Sequence, residues 1–204
     1  MKIRSIFPEG IGLATNTDIK LDLDSLMKSI DWKTDENGLG NFDQSQTNLQ
    51  DVEIWQPLLN WIVKKAENYW TDLGYKHDGM FITQAWLNKM PDGGNIDWHW
   101  HSNSLISAVY YLKADEATGP TLFQTTKNPL QLSLQTEVDK FTDYNCPEIA
   151  IRPVQDTVVL FPSYINHRSA PNFNANSERY TVAVNIMPNT LGKENHFNWA
   201  KLNK

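Results

Sequence analysis

From Gly79 onward the chain alternates short apolar runs with turn-forming residues, and that rhythm constrains its fold more than any other feature. The runs are 80–89, 95–101, 104–113, 121–124, 148–153, 156–161 and 178–187. Pro91-Asp92-Gly93-Gly94 separates the first two, and Thr118-Gly119-Pro120 leads into the fourth. Strands of this number and spacing predict a β-sandwich or barrel. The region 125–147 has weak periodicity and reads as a flexible insert over a site.

Upstream, helical spacing takes over. Residues 2–7 read as a short strand, Asp24 as the cap of a short helix ending at Ile30, and 33–50, polar with Gly38 and Gly40, as a long loop. The clearest helix spans about 51–73. Its apolar positions Trp55, Leu58, Leu59, Ile62, Ala66, Tyr69, Trp70 and Leu73 recur every three or four residues, and Gly74 stops it. Pro57 suits a first turn, so the regular helix can begin there. This helix is expected to buttress a sheet and to carry no chemistry. The expectation is a single domain over 1–204: a supporting N-terminal part over 1–78, a β core over 79–190, and a surface tail over 191–204.

Composition narrows the function classes. The chain has 204 residues, 40% of them hydrophobic and 21% charged, as expected of a globular domain with a sizeable core. Eight Trp, seven Tyr and eight Phe imply an aromatic-rich core or pocket. The net charge of −6, without a basic run, argues against nucleic acid as the default partner. The single Cys146 excludes an intramolecular disulfide and fits a reducing, cytoplasmic location. Pro8, Glu9 and Gly10 interrupt any apolar run near the start, so neither a signal peptide nor a membrane anchor is expected there.

Three segments carry chemistry. In Asp97-Trp98-His99-Trp100-His101, strand alternation puts Asp97, His99 and His101 on one face and both indoles on the other, buried against the helix layer. Two imidazoles on one face, with a third ligand from elsewhere, can build an open metal site; surface histidines on an edge strand would give the same pattern. The second segment is a buried strand, Asp156 to Phe161, ended by Pro162-Ser163; His167 follows in a polar loop, placed either to point into a barrel mouth or to be satisfied locally. In the third, Arg179, Thr181, Ala183 and Asn185 alternate with Tyr180, Val182, Val184 and Ile186. Arg179 and Thr181 can clasp a carboxylate, unless Arg179 simply pairs with a nearby acid.

Taken in this order, the segment from Ala85 to Ile186 resembles the iron(II)- and 2-oxoglutarate-dependent oxygenases. It looks most like a group with phage and bacterial members, related to the prolyl-hydroxylase branch. The matching stretches are Ala85-Trp-Leu-Asn88, Trp98-His-Trp-His-Ser-Asn-Ser104, Ser107-Ala-Val-Tyr-Tyr-Leu112, Gly119-Pro-Thr-Leu-Phe123, Leu160-Phe-Pro-Ser163 with His167, and Glu178-Arg179 through Asn185. The resemblance implies a mainly β fold with flanking helices, a double-stranded β-helix (jelly roll) with iron in its mouth. It implies His99 and His167 as iron ligands, and Arg179 with Thr181 as the residues that hold the distal carboxylate of 2-oxoglutarate. Tyr111 or Tyr110 falls where that branch places a phenol near the carboxylate, and strand register decides which. Asn185, on the Arg179 face, belongs to the same candidate group.

One departure stands out. The superfamily has a carboxylate two residues after the first histidine, whereas this chain has His101. His101 is expected as the third ligand, with Asp97 as an alternative carboxylate. The implied activity is a dioxygenase that consumes O2 and 2-oxoglutarate and releases succinate and CO2 while hydroxylating a substrate, a peptide or small molecule before a nucleic acid. A three-His cupin-like metalloenzyme that does not use 2-oxoglutarate, and a noncatalytic jelly-roll binding protein, are the competing expectations.

Overall fold

The computed structural model describes residues 1, 3–4, 8–34, 38–115, 117–125, 137–142, 144–173, 178–191 and 197–198. The expected strand over 2–7, the insert over 125–147 and the tail fall largely outside these residues. In chain order the elements are β1 (Gly12–Thr15), α1 (Leu23–Lys28), β2 (Trp32–Thr34), β3 (Asp43–Ser45), α2 (Gln56–Asp72), β4 (Met80–Met90), β5 (Ile96–His99), β6 (Ile106–Lys113), β7 (Thr121–Gln124), β8 (Glu148–Ile151), β9 (Thr157–Pro162), β10 (His167–Ser169), β11 (Arg179–Pro188), β12 (Thr190–Leu191) and β13 (Phe197–Asn198).

The strands form a seven-stranded sheet, β1-β9-β6-β11-β4-β3-β2, and a four-stranded sheet, β5-β10-β7-β8, each antiparallel throughout; β12 and β13 pair separately. From β4 to β11 the chain passes repeatedly between the two sheets, which is the double-stranded β-helix. Apart from the local β2–β3 pair, every seam of the larger sheet depends on contacts between residues far apart in sequence. β11, for instance, pairs with both β4 and β6, so Thr181 stands between Asn88 and Tyr111.

The larger sheet is buried on both faces. Its outer face, with Ala85, Leu87, Ala108, Tyr110, Val158, Leu160, Val182 and Val184, packs with Leu58, Leu59, Ile62 and Ala66 of α2. Its inner face carries Tyr111, Val159 and Phe161 against Phe123 and Ile165 from the side of the smaller sheet. Central strands covered twice cannot alternate apolar with polar, which is why β6 and β9 read as nearly continuous apolar runs.

Several local expectations are corrected. The long helix is α-helical only over Gln56–Asp72. Two 3-10 turns precede it, and Val52, extended between them at φ −118° and ψ 120°, interrupts any longer helix. Asp22, not Asp24, caps α1, its carboxylate accepting the Ser25 N–H at 3.3 Å. The expected loop over 33–50 contains β3, which lies between β4 and the edge strand β2; strands at this margin of the sheet tolerate polar residues. There the Leu87 N–H donates to Ser45 Oγ at 3.0 Å and the Ala85 N–H to Gln50 Oε1 at 2.9 Å, so side chains complete the backbone pairing. The strand expected over 95–101 ends at His99, and it lies in the smaller sheet, whereas α2 packs on β4, β6 and β9 of the larger one. The indoles are therefore not buried against the helix. Trp98 is half-buried beneath the Arg168 guanidinium, and Trp100 is 67% exposed.

Ile62 is fully buried where α2 meets the sheet. Ile62→Ala is expected to lower the unfolding free energy by about 2–5 kcal/mol. Urea denaturation monitored by far-UV circular dichroism checks this, and an unchanged midpoint would contradict the helix's role as a buttress.

Candidate metal centre

β5 and β10 are neighbours in the smaller sheet, and their register sets His167 directly opposite His99. The rings are oriented by the same device. His99 Nδ1 lies 2.7 Å from the Asp97 carbonyl and His167 Nδ1 lies 2.9 Å from the Ile165 carbonyl, each two residues back along the chain. A carbonyl can only accept, so each Nδ1 carries the proton and each Nε2 keeps its lone pair. His167, expected in a loop, thus belongs to a short strand that fixes its backbone.

His101 lies beyond the end of β5. Its backbone N–H donates to the Ser163 carbonyl at 3.0 Å, tying it to the turn after β9. Its Nε2 comes within 3.3 Å of His167 Nε2. One ring nitrogen from each of His99, His101 and His167 falls within 4.8 Å of the others, a spread that one metal ion can bridge. Asp97 does not join this cluster: it is exposed, and its carboxylate accepts from Asn95 Nδ2 at 2.9 Å.

Burial holds these imidazoles neutral. Desolvation, with His99 nearby, pushes His167 down to about 3 and His101 down to about 4; His99 is lowered by desolvation against the opposing pull of the Asp97 carbonyl. Phe161 meets the His167 ring edge-on at 4.7 Å and Phe123 lies 6.0 Å away, nearly parallel, while Trp86 lies 5.6 Å from His101. These aromatic walls account for the desolvation.

Arg179 begins β11 and is 1% exposed. Its Nη1 donates to the Gly119 carbonyl at 2.8 Å, and its Nη2 to Thr121 Oγ1 at 3.3 Å and Ser169 Oγ at 3.2 Å. Its buried Nε has no hydrogen-bond partner. Among the described residues no carboxylate pairs with it. The neighbouring Glu178 binds Lys89 at 3.2 Å and accepts from Tyr180, so no described acid gives Arg179 the simple ion pair. A buried cation without a counter-charge is costly, and the arrangement suits an anion brought from outside.

Register settles the tyrosine pair. Tyr111 faces the site: its ring lies 5.5 Å from the guanidinium carbon, and its hydroxyl is 2.8 Å from Thr121 Oγ1. Tyr110 faces the helix layer, donating to Asp156 at 2.9 Å, accepting from Asn16 at 3.2 Å and meeting the edge of Trp61. Thr181 is buried and lines the same cleft as the three histidines. Asn185 does not join that group. Further along β11, it accepts from Ser107 at 3.1 Å, and Ser107 Oγ also lies 2.9 Å from Ser163 Oγ, so it supports the turn that holds His101.

The cleft has a volume of about 270 Å³. Its lining includes Thr121 and Ser169, the hydroxyls beside Arg179, and Trp86 and Asn88 of β4. Thr121 lies in the matching stretch Gly119-Pro-Thr-Leu-Phe123, which gives it no role of its own, and no motif marks Ser169. The only signal for Thr121 is its alternation with Phe123 on the same strand face.

The depressed histidine pKa values make acid stability a test of the cluster. Unfolded imidazoles take protons near pH 6.5, whereas the folded rings resist to about 4 and about 3 for His101 and His167. The contribution is therefore fully present above pH ~6.5 and is lost as pH falls through the folded values. The metal-free protein is expected to lose urea stability steadily between pH ~6.5 and ~4, with a shallower slope for His167→Gln. Equal slopes would contradict burial of a neutral His167.

The family model described as "Putative 2OG-Fe(II) oxygenase" matches residues 84–185, half of the chain. No curated protein sequence matches. Among solved structures, the chain is similar to a Pseudomonas putida prolyl-4-hydroxylase, with a TM-score of 0.59, 13% identity, and coverage of 88% of this chain and 93% of that one. It is also similar to a 2OG-Fe(II) oxygenase family oxidoreductase from Burkholderia pseudomallei, with a TM-score of 0.58, 13% identity, and coverage of 81% and 76%. A viral collagen prolyl hydroxylase from Paramecium Bursaria Chlorella virus-1 gives 0.53, 14%, 86% and 94% in the same order. At these identities the likeness shows the fold.

Proposed function

The chain belongs to the family of 2OG-Fe(II) oxygenases, and from that premise we propose that it hydroxylates its substrate with one Fe(II) held by His99, His101 and His167 and with 2-oxoglutarate held at Arg179. The observation that carries this reading is the fully buried guanidinium with a free Nε and no carboxylate partner among the described residues, held by Thr121 and Ser169, which line the same cleft as the three histidines. The donor set fits the metal. Three neutral imidazoles suit a divalent first-row ion and leave coordination positions for other ligands. Bound Fe(II) would supply the oxygen activation that turns 2-oxoglutarate into succinate and CO2.

The chain's own residues bind, orient and exclude. Arg179 takes the distal carboxylate through a charge-assisted contact, with the Thr181 hydroxyl in support. Gly119, Thr121 and Ser169 hold the guanidinium plane, so it needs little reordering when the anion arrives. Tyr111 closes one side of the guanidinium, and Phe123 and Phe161 keep water from the His167 ring. The Asp97 and Ile165 carbonyls hold the protons of His99 and His167 on Nδ1 and raise the basicity of Nε2. Supporting His101 as third ligand are its nitrogen within the cluster and the exposure of Asp97. A peptide or a small molecule is the favoured substrate. The prolyl hydroxylases among the similar structures support the former, and the net charge of −6 weighs against nucleic acid. No helix among the described residues is long and apolar enough to cross a membrane. The single Cys146 supports a cytoplasmic place of action.

A second reading, a three-His metalloenzyme that does not use 2-oxoglutarate, is favoured by His101 standing where relatives carry a carboxylate. It gives Arg179 no task. Anaerobic titration with Fe(II) and then 2-oxoglutarate separates the two: a visible charge-transfer band is expected on adding the cosubstrate, and a folded, iron-loaded protein without one would refute the proposal. Arg179→Ala is expected to weaken 2-oxoglutarate binding at least ~10-fold, about 1.4 kcal/mol, with Fe(II) affinity retained. Unchanged cosubstrate affinity by calorimetry would remove Arg179 from the role.

A further inference from the structure

Beyond Thr121 and Ser169, the hydroxyls that hold Arg179, the cleft is walled by Leu39, Phe42 and Ile96 on one side and by Gln84, Trp86 and Asn88 of β4 on the other. Trp100, 67% exposed, stands at its rim. No Asp, Glu, Lys or Arg side chain is among the described residues that line it. A substrate bearing an ammonium or carboxylate near its reacting end would lose hydration there and meet no opposite charge.

Asn88 is the one buried polar group in this wall whose need is unmet. It is 6% exposed, and its Oδ1 has no hydrogen-bond partner. It sits in register between Gln44 of β3 and Thr181 of β11, beside the place where the cosubstrate half of the cleft begins. Buried acceptors without donors are rare in folded proteins. Ser45, on the opposite face of the neighbouring strand, has its hydroxyl fully engaged, so the gap at Asn88 is local.

We infer that the cleft takes an uncharged, amide-bearing substrate and that Asn88 selects it. The carboxamide of Asn88 offers an acceptor and a donor side by side in one plane, whichever way its two terminal atoms are assigned. Another amide answers both in the same plane, its N–H donating to Oδ1 and its carbonyl accepting from Nδ2. The indole of Trp86 gives the flat group an apolar face, and Trp100 extends that face towards solvent. At about 270 Å³, shared with the cosubstrate, the cleft admits a fragment the size of a single amino-acid residue. This inference rests on the reading of the cleft as the active site.

Saturation-transfer NMR on the Zn(II)- and 2-oxoglutarate-loaded protein tests it by binding alone. The probes are N-acetyl N-methylamides of amino acids with uncharged side chains, the same amino acids as free zwitterions, methyl glycosides and nucleosides. The expected result is transfer to at least one neutral amide, at least ~10-fold weaker binding of its zwitterion, and loss of amide binding in Asn88→Leu with 2-oxoglutarate affinity unchanged. Equal binding of the zwitterions, or binding of glycosides or nucleosides with no amide bound, overturns the inference. So does Asn88→Leu lowering 2-oxoglutarate affinity while sparing the amide. The comparison of probes on the unsubstituted protein needs no variant, and Asn88→Thr stands in if the leucine variant does not fold. Zn(II) and 2-oxoglutarate affinities measured on the same samples show separately whether the active-site reading fails.

Discussion

The pairing of His99 with His167 across β5 and β10 is the contact on which the rest of the site depends. It joins two segments distant in sequence and sets the spacing of two imidazoles through backbone hydrogen bonds, not through a metal. The carbonyls two residues upstream then choose the tautomer of each ring. A slip of one residue in this register would turn one histidine to the other face of the sheet. With the pairing in place, His101 needs only its bond to the Ser163 carbonyl to enter the cluster.

The second requirement is a dry wall behind the histidines, and double burial of the larger sheet provides it. Its outer face is sealed by α2, so its inner face is free to carry Phe161, Tyr111 and Arg179 toward the smaller sheet. The same burial that lowers the histidine pKa values strips Arg179 of solvent, and among the described residues that cost is met with three oxygen acceptors and no acid. Neutral imidazoles grouped closely enough for one metal ion, and a cation with no acid beside it among the described residues, thus arise from one architectural choice. A site prepared in this way suits the proposed anion and ion, because little reorganisation would be needed.

Much of the β architecture was legible in the chain. The runs over 80–89, 104–113 and 178–187 lie close to β4, β6 and β11, because long strands with regular turn residues at their ends announce themselves locally. The shortest elements were not legible. β3 reads as loop because Asp43-Gln44-Ser45 is polar, and it is a strand only because β4 offers it an open edge. His167 reads as loop because three residues carry too little periodicity to mark β10. The indoles flanking His99 read as buried against the helix, but β5 lies in the smaller sheet while the helix packs on the larger one.

What the sequence alone determined is the set of chemical groups and their order: two histidines two apart, a third after a Pro-terminated strand, and an arginine opening the last long strand. Those identities, with the alternation of β11, placed Arg179 and Thr181 on one face without any tertiary knowledge. Only the tertiary structure decided that Tyr111 and not Tyr110 faces the guanidinium, that His101 joins the cluster while Asp97 stays in solvent, that Asn185 serves the Ser163 turn, and that Arg179 finds no acid among the described residues. The reason is physical. Alternation along a strand is a local property of the backbone, whereas strand register and the company a buried charge keeps are set by segments that meet only when the chain folds.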